Sequence, residues 1–112
     1  MNIQVFVGKK NFDTQKTERW FKERRIPFQR VDLARKGLSR GELDALVRAV
    51  GLEALIDRDA PAYRTLNMAW HGLSQEAEAM LLAHPALLKT PIVRNGRQAT
   101  VGFCPDRWEA WT

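Results

Sequence analysis

The chain has 112 residues, 45% of them hydrophobic and 28% charged, with four tryptophans and five phenylalanines available for a core. A domain of this size buries roughly two-thirds of the surface its unfolded chain exposes, which supports one core and excludes a second independent one. The single cysteine, Cys104, excludes an internal disulfide, and the net charge of +5 directs attention to where the bases lie.

Ile3-Gln4-Val5-Phe6-Val7 is rich in β-branched and aromatic residues and reads as a strand. Gly8 to Phe12 reads as a loop. Asp13 or Thr14 is the expected cap of a helix reaching about Arg25, with Trp20 and Phe21 inward and Lys16, Arg19 and Lys22 outward. Pro27 stops that helix, and Phe28 to Asp32 alternates as a second strand. Strand, helix and strand of these lengths make a βαβ unit with parallel strands.

The middle of the chain is helical. Ser39 and Glu42 form a capping box ahead of Leu43, Leu46, Val47 and Val50, and Gly51 ends the helix. Short helices are expected over Leu52–Ile56 and from Pro61, and Ser74 caps another whose apolar face includes Ala77, Met80 and Leu81. Ile92 to Val101 then reads as a hairpin with Asn95-Gly96 as a type I′ turn, and Cys104-Pro105 opens a last helix carrying Trp108 and Trp111.

Residues 1–40 carry eleven Lys/Arg against four acids, whereas the remainder carries seven bases against nine acids. One end of the molecule is therefore expected to be positive, either as a solvated helix face or as a surface for anionic partners. A lone cysteine suits a reducing compartment, and the start of the chain lacks the pattern of a signal peptide. No stretch reaches the roughly 18 apolar residues that span a bilayer. A cytoplasmic monomer without membrane attachment is expected. His71 and His84 have no partners at metal-ligand spacing, so no metal site is expected.

Four segments together resemble the ArsC family, which includes arsenate reductases, YffB-type proteins and Spx-type transcription regulators. They are Val7-Gly8-Lys9-Lys10-Asn11-Phe12-Asp13-Thr14-Gln15-Lys16; Arg58 to Leu66 with Tyr63-Arg64; His84 to Val93; and Gly102-Phe103. The resemblance spans almost the whole chain. It implies a single α/β domain over residues 1–112 with a thioredoxin-like fold, a mixed four-stranded sheet and a helical insertion at about 39–84. It also implies a cis bond before Pro91.

In that family a redox cysteine stands at the start of the first helix, where free backbone N–H groups and the helix dipole lower a thiol pKa and bind oxyanions. The resemblance places Phe12 there, and Gln15 at the second cysteine of the Spx-type CxxC. Thr90 replaces the reductases' arginine before the strand proline. Phe12 either presents its ring as a binding surface or fills the vacated pocket against Pro91 and Phe103, and the second is the expectation, because burial gains roughly 2–3 kcal/mol.

The candidate ligand or anion site comprises Lys9, Lys10, Asn11, Thr14, Arg58, Lys89, Thr90 and Pro91, and the candidate partner surface comprises Lys16 and Arg19. Glutathione carboxylates, a phosphate or a nucleic-acid backbone could meet such cations. Apart from Phe12 no aromatics interleave with them in the first loop and the start of the first helix, which argues against a nucleic-acid platform. Cys104 is the remaining thiol, at a helix N-cap but without an evident activating base or cation. The leading expectation is a non-catalytic binding or regulatory module, with RNA polymerase implied as a partner only through the Spx relatives. The rival is a glutathione-linked thiol or arsenate reductase using Cys104 or an external thiol.

Overall fold

Ile3–Val7 (β1) is buried along almost its whole length because it is an inner strand of a four-stranded sheet in the computed structural model, which describes all 112 residues. Phe28–Asp32 (β2) lies parallel to it, from Ile3 opposite Phe28 to Val7 opposite Asp32. Parallel strands need a crossover, and Phe12–Glu23 (α1) supplies it. Ile92–Asn95 (β3) runs antiparallel on the other side of β1, and Gln98–Val101 (β4) closes the order β2-β1-β3-β4.

Between β2 and β3 come Arg40–Val50 (α2), Leu52–Leu55 (α3), Pro61–Thr65 (α4), Met68–His71 (α5) and Gln75–Ala83 (α6). A 3-10 turn, Pro85–Leu87, follows, and Pro105–Trp111 (α7) ends the chain. The Ser39 capping box forms in full, with Glu42 N–H donating to Ser39 Oγ at 3.1 Å and Ser39 N–H to Glu42 Oε1 at 2.9 Å. Gly51 stops α2 at φ +86°, which only glycine adopts without strain.

Strand alternation sorts the core into two clusters, one on each face of the sheet. On one face Val5, Val7 and Val93 meet Trp20 and Phe21 of α1 and Trp108 of α7. The rings of Trp108 and Trp20 stand edge to face at 5.3 Å. Trp108 also donates from Nε1 to Thr100 Oγ1 at 2.8 Å, which satisfies the one polar atom of a fully buried side chain. On the other face Phe6, Ile92 and Ala99 pack against Leu43, Leu46, Leu55, Leu81 and Leu87 from the helical segment. No helix is long and apolar enough to cross a membrane.

Two local expectations are corrected. The cap of α1 is Asn11, so the helix begins at Phe12 rather than after Asp13 or Thr14. Asn outcompetes its neighbours there because its Oδ1 reaches the Thr14 N–H at 2.8 Å. The hairpin turn is Gly96-Arg97 rather than Asn95-Gly96, because Asn95 pairs with Gln98. Gly96 at φ +61° is followed by a residue of negative φ, the type II′ pattern. Helix α5 and the 3-10 turn were not legible in the sequence, both being single turns whose residues lack a periodic apolar face.

Candidate functional site

The loop from Gly8 to Asn11 delivers the N-terminus of α1 to the segment that precedes β3. Asn11 Nδ2 donates to Thr90 Oγ1 at 3.2 Å and to the Lys9 carbonyl at 3.2 Å. Gly8 packs so near Thr90 that a Cβ would lie 3.4 Å from the threonine methyl. Lys9, Asn11, Thr14 and Thr90 are thus brought together. Pro91 is buried behind them, its peptide bond with Thr90 is cis, and its carbonyl accepts from the Gly102 N–H at 2.8 Å. That bond draws the Gly102–Cys104 turn to the same end of the sheet.

At this junction the first N–H groups of α1 have no partner within the helix. Thr14 is 6% exposed, and its hydroxyl oxygen makes no hydrogen bond. The exposed lysines Lys9, Lys10 and Lys16 lie on this loop and helix, but so does Asp13, in the first turn of α1. The Asp13 carboxylate complements the helix dipole and opposes a second anion. The site therefore offers backbone donors and hydroxyls, with its positive charge partly offset.

Phe12 does not fill a pocket. Its side chain is 80% exposed at the first position of α1, in contrast to the expectation of a plugged cavity. The buried face of α1 is made by Thr14, Thr17, Trp20 and Phe21, and Phe12 does not belong to it. Phe103, 37% exposed, stands edge to face on Trp108 at 5.6 Å, and Lys16 Nζ stands 5.8 Å over its ring. One aromatic thus meets Lys16, supplied by the last turn from 87 positions further along the chain.

Cys104 caps α7 and its thiol donates to the Val101 carbonyl at 3.4 Å. Burial pushes its pKa above the ordinary value, Arg107 pulls it back, and Asp13 adds to the rise. Arg107 is the cation that the sequence did not reveal, although Cys104 and Arg107 are only three residues apart on one helical turn. The cation is outweighed, so the thiol is held protonated. Together the two residues edge an apolar cleft of about 320 Å³ lined by Ala49, Val50, Ala54, Ala99, Thr100 and Val101.

The ArsC family model matches residues 8–111. This chain belongs to the ArsC family. Among its relatives are the global transcriptional regulator Spx 2 of Oceanobacillus iheyensis, 27% identical over 95% of this chain and 80% of the relative. The protein YusI of Bacillus subtilis is 28% identical over 97% of both chains. Among solved structures, a YFFB protein superposes with a TM-score of 0.80 at 27% identity, covering 97% of each chain. An arsenate reductase from Vibrio cholerae superposes with a TM-score of 0.82 at 25% identity, covering 96% of this chain and 94% of that one. The α/β thioredoxin-like architecture with a mixed four-stranded sheet is shared with these ArsC-like structures.

The other candidates of this ArsC-family chain form no bond with the Asn11 or Thr90 side chains. Arg58 donates to Glu53 Oε1 at 3.1 Å, and Lys89 lines a shallow depression with Glu53, Asp57, Arg58 and Asp59. Those three carboxylates occupy the cations' surroundings. Lys16 and Arg19 are both exposed on α1, as a partner surface requires. His71 Nδ1 lies 3.2 Å from Glu76 Oε2, and His84 caps the end of α6.

Proposed function

We propose that this ArsC-family chain is a binding or regulatory module that works without the covalent thiol chemistry of a reductase, Phe12 standing where the family's redox cysteine would be. The single observation that carries the reading is the exposed phenyl ring at the first position of α1. A phenyl group can neither ionise nor attack, and at 80% exposure it contributes little to stability. An exposed ring on the helix that also carries the exposed Lys16 and Arg19 suits contact with another molecule. The protonated state of Cys104 supports the same reading, since the thiolate is the nucleophile.

The partner is a protein, or a small anionic ligand, that docks on the α1 side through Phe12, Lys16 and Arg19. The Spx relatives carry the name of global transcriptional regulators, which makes transcription one setting for such docking and RNA polymerase one partner to assay. The second reading is a glutathione-linked thiol or arsenate reductase, favoured by the placement of Arg107 beside Cys104.

Turnover separates the two. Purified protein is assayed for arsenate reduction with glutathione and glutaredoxin, alongside Cys104→Ser. The binding reading expects no turnover in either, and a captured partner that is lost in Lys16→Glu/Arg19→Glu. Enzymatic turnover abolished by Cys104→Ser would replace it with the reductase reading.

A further inference from the structure

A second concentration of positive charge lies away from α1. Arg48, in the last turn of α2, Arg94 on β3 and Arg97 in the β3–β4 turn line one groove of about 560 Å³, and Ala45 is its only other wall. The topology explains the convergence. Arg94 shares a strand face with Ile92, which is packed toward α2, and Ala99 and Val101 of β4 point the same way. Beyond the last apolar layer the sheet face turns polar, with Gln29, Gln4 and Arg94 in register across three strands. Arg97 comes in from the adjoining turn and Arg48 from the end of the helix above.

None of the three guanidinium groups forms a salt bridge, whereas Arg40, at the other end of α2, is paired with both Asp44 and Glu78. Arg94 Nε donates to the Gly96 carbonyl at 2.9 Å, which anchors that side chain. The terminal nitrogens of Arg94 take no protein acceptor. Three cations around one concavity repel each other, and an anion bound between them relieves that repulsion. Guanidinium forks match phosphate oxygens in pairs.

We propose that the Arg48–Arg94–Arg97 groove is a binding site for a compact polyphosphorylated ligand, of the pyrophosphate or sugar-bisphosphate class. Three positive charges suit a ligand with at least two phosphate charges. The volume lies within the roughly 300–1,000 Å³ of small-molecule sites. No aromatic side chain lines the groove, so nothing there would stack a nucleobase. The site is separate from the α1 surface of the proposed function, and either can fail without the other.

The probe is inorganic pyrophosphate, titrated calorimetrically at low and physiological salt. Arg48→Gln and Arg97→Gln are compared with Lys36→Gln, a control in the β2–α2 connection that belongs to neither basic surface. All these side chains are exposed, and circular dichroism checks the fold of each variant. The expected result is one-site binding that weakens with salt, about tenfold or more in each groove variant and unchanged in the control. Absence of binding, or equal weakening in the control, overturns the proposal. Binding of a single-stranded oligonucleotide or an acidic protein at this groove without binding of pyrophosphate overturns it as well.

Discussion

Asn11 and Thr90, 79 residues apart in sequence, are joined by a 3.2 Å side-chain hydrogen bond at the N-terminus of α1. The same asparagine caps the helix through its other side-chain atom, at 2.8 Å to the Thr14 N–H. One residue thereby ties the first loop to the segment before β3, so the local start of a helix and the closure of the sheet's far connection depend on each other. Asn11→Ala removes both bonds and is expected to destabilise the protein by about 1–2 kcal/mol. Thr90→Val removes only the long-range bond, and a double-mutant cycle by urea denaturation should return a coupling of roughly 0.5–1.5 kcal/mol. Strict additivity of the two would show that the bond contributes nothing.

Phe12 gives a direct contrast between a filled pocket and a free ring. Phe12→Ala is expected to change stability by no more than about 0.5 kcal/mol, because the side chain is exposed. A loss of several kcal/mol would place the ring in the core instead.

Phe12→Cys tests the helix terminus itself. With free N–H groups and the dipole of α1 at hand, the introduced thiol is expected to titrate below the ordinary cysteine range of about 8.5. Alkylation rate against pH, measured in a Cys104→Ser background, reads the value. A thiol of ordinary pKa would show that this terminus does not favour an anion.

Cys104 should behave in the opposite sense. Its pKa is raised in the folded state by burial and by Asp13, against the pull of Arg107. Below the unfolded value of about 8.5 the thiol is protonated in both states, and its contribution to stability is fully present. Above that pH the unfolded chain releases the proton first, so stability is lost as pH rises through the folded pKa. Wild type is expected to lose more stability than Cys104→Ser between pH 8 and higher values, read by denaturant midpoints at each pH. A parallel decline of both proteins would contradict the raised pKa.

Trp108 joins α7 to the sheet through ring contacts and a single polar bond. Trp108→Ala is expected to cost about 3–5 kcal/mol. Trp108→Phe keeps an aromatic ring but leaves the buried Thr100 hydroxyl without its donor, a loss of roughly 1–3 kcal/mol. Adding Thr100→Val should return part of that loss, which thermal unfolding of the two variants would reveal.

Much of the fold could be read from residues in chain order. The strands over Ile3–Val7 and Phe28–Asp32 follow from local alternation, and Ser39 with Glu42 marks the start of α2, because these signals act within a turn or two of backbone. The family motifs around Asn11, Pro91 and Gly102 were legible for the same reason, each being a short segment with its own conformational requirement. The site was legible only in part. Asn11 and Thr90 were named separately, while their bond is a product of the βαβ crossover and the return of β3. Arg58 and Lys89 carry the right charge but meet the carboxylates of Glu53, Asp57 and Asp59.

The amino-acid sequence alone determined the order of the strands and the longer helices, the membership of the ArsC family and the presence of only one thiol, since residue identity and nearest-neighbour chemistry suffice for these. The tertiary structure alone decided that Phe12 faces solvent, that burial outweighs Arg107 at the Cys104 thiol, and that Arg48, Arg94 and Arg97 share a groove. Exposure and electrostatic energy depend on distances between groups, and for residues far apart in the chain those distances exist only once the sheet and its two helical layers have closed.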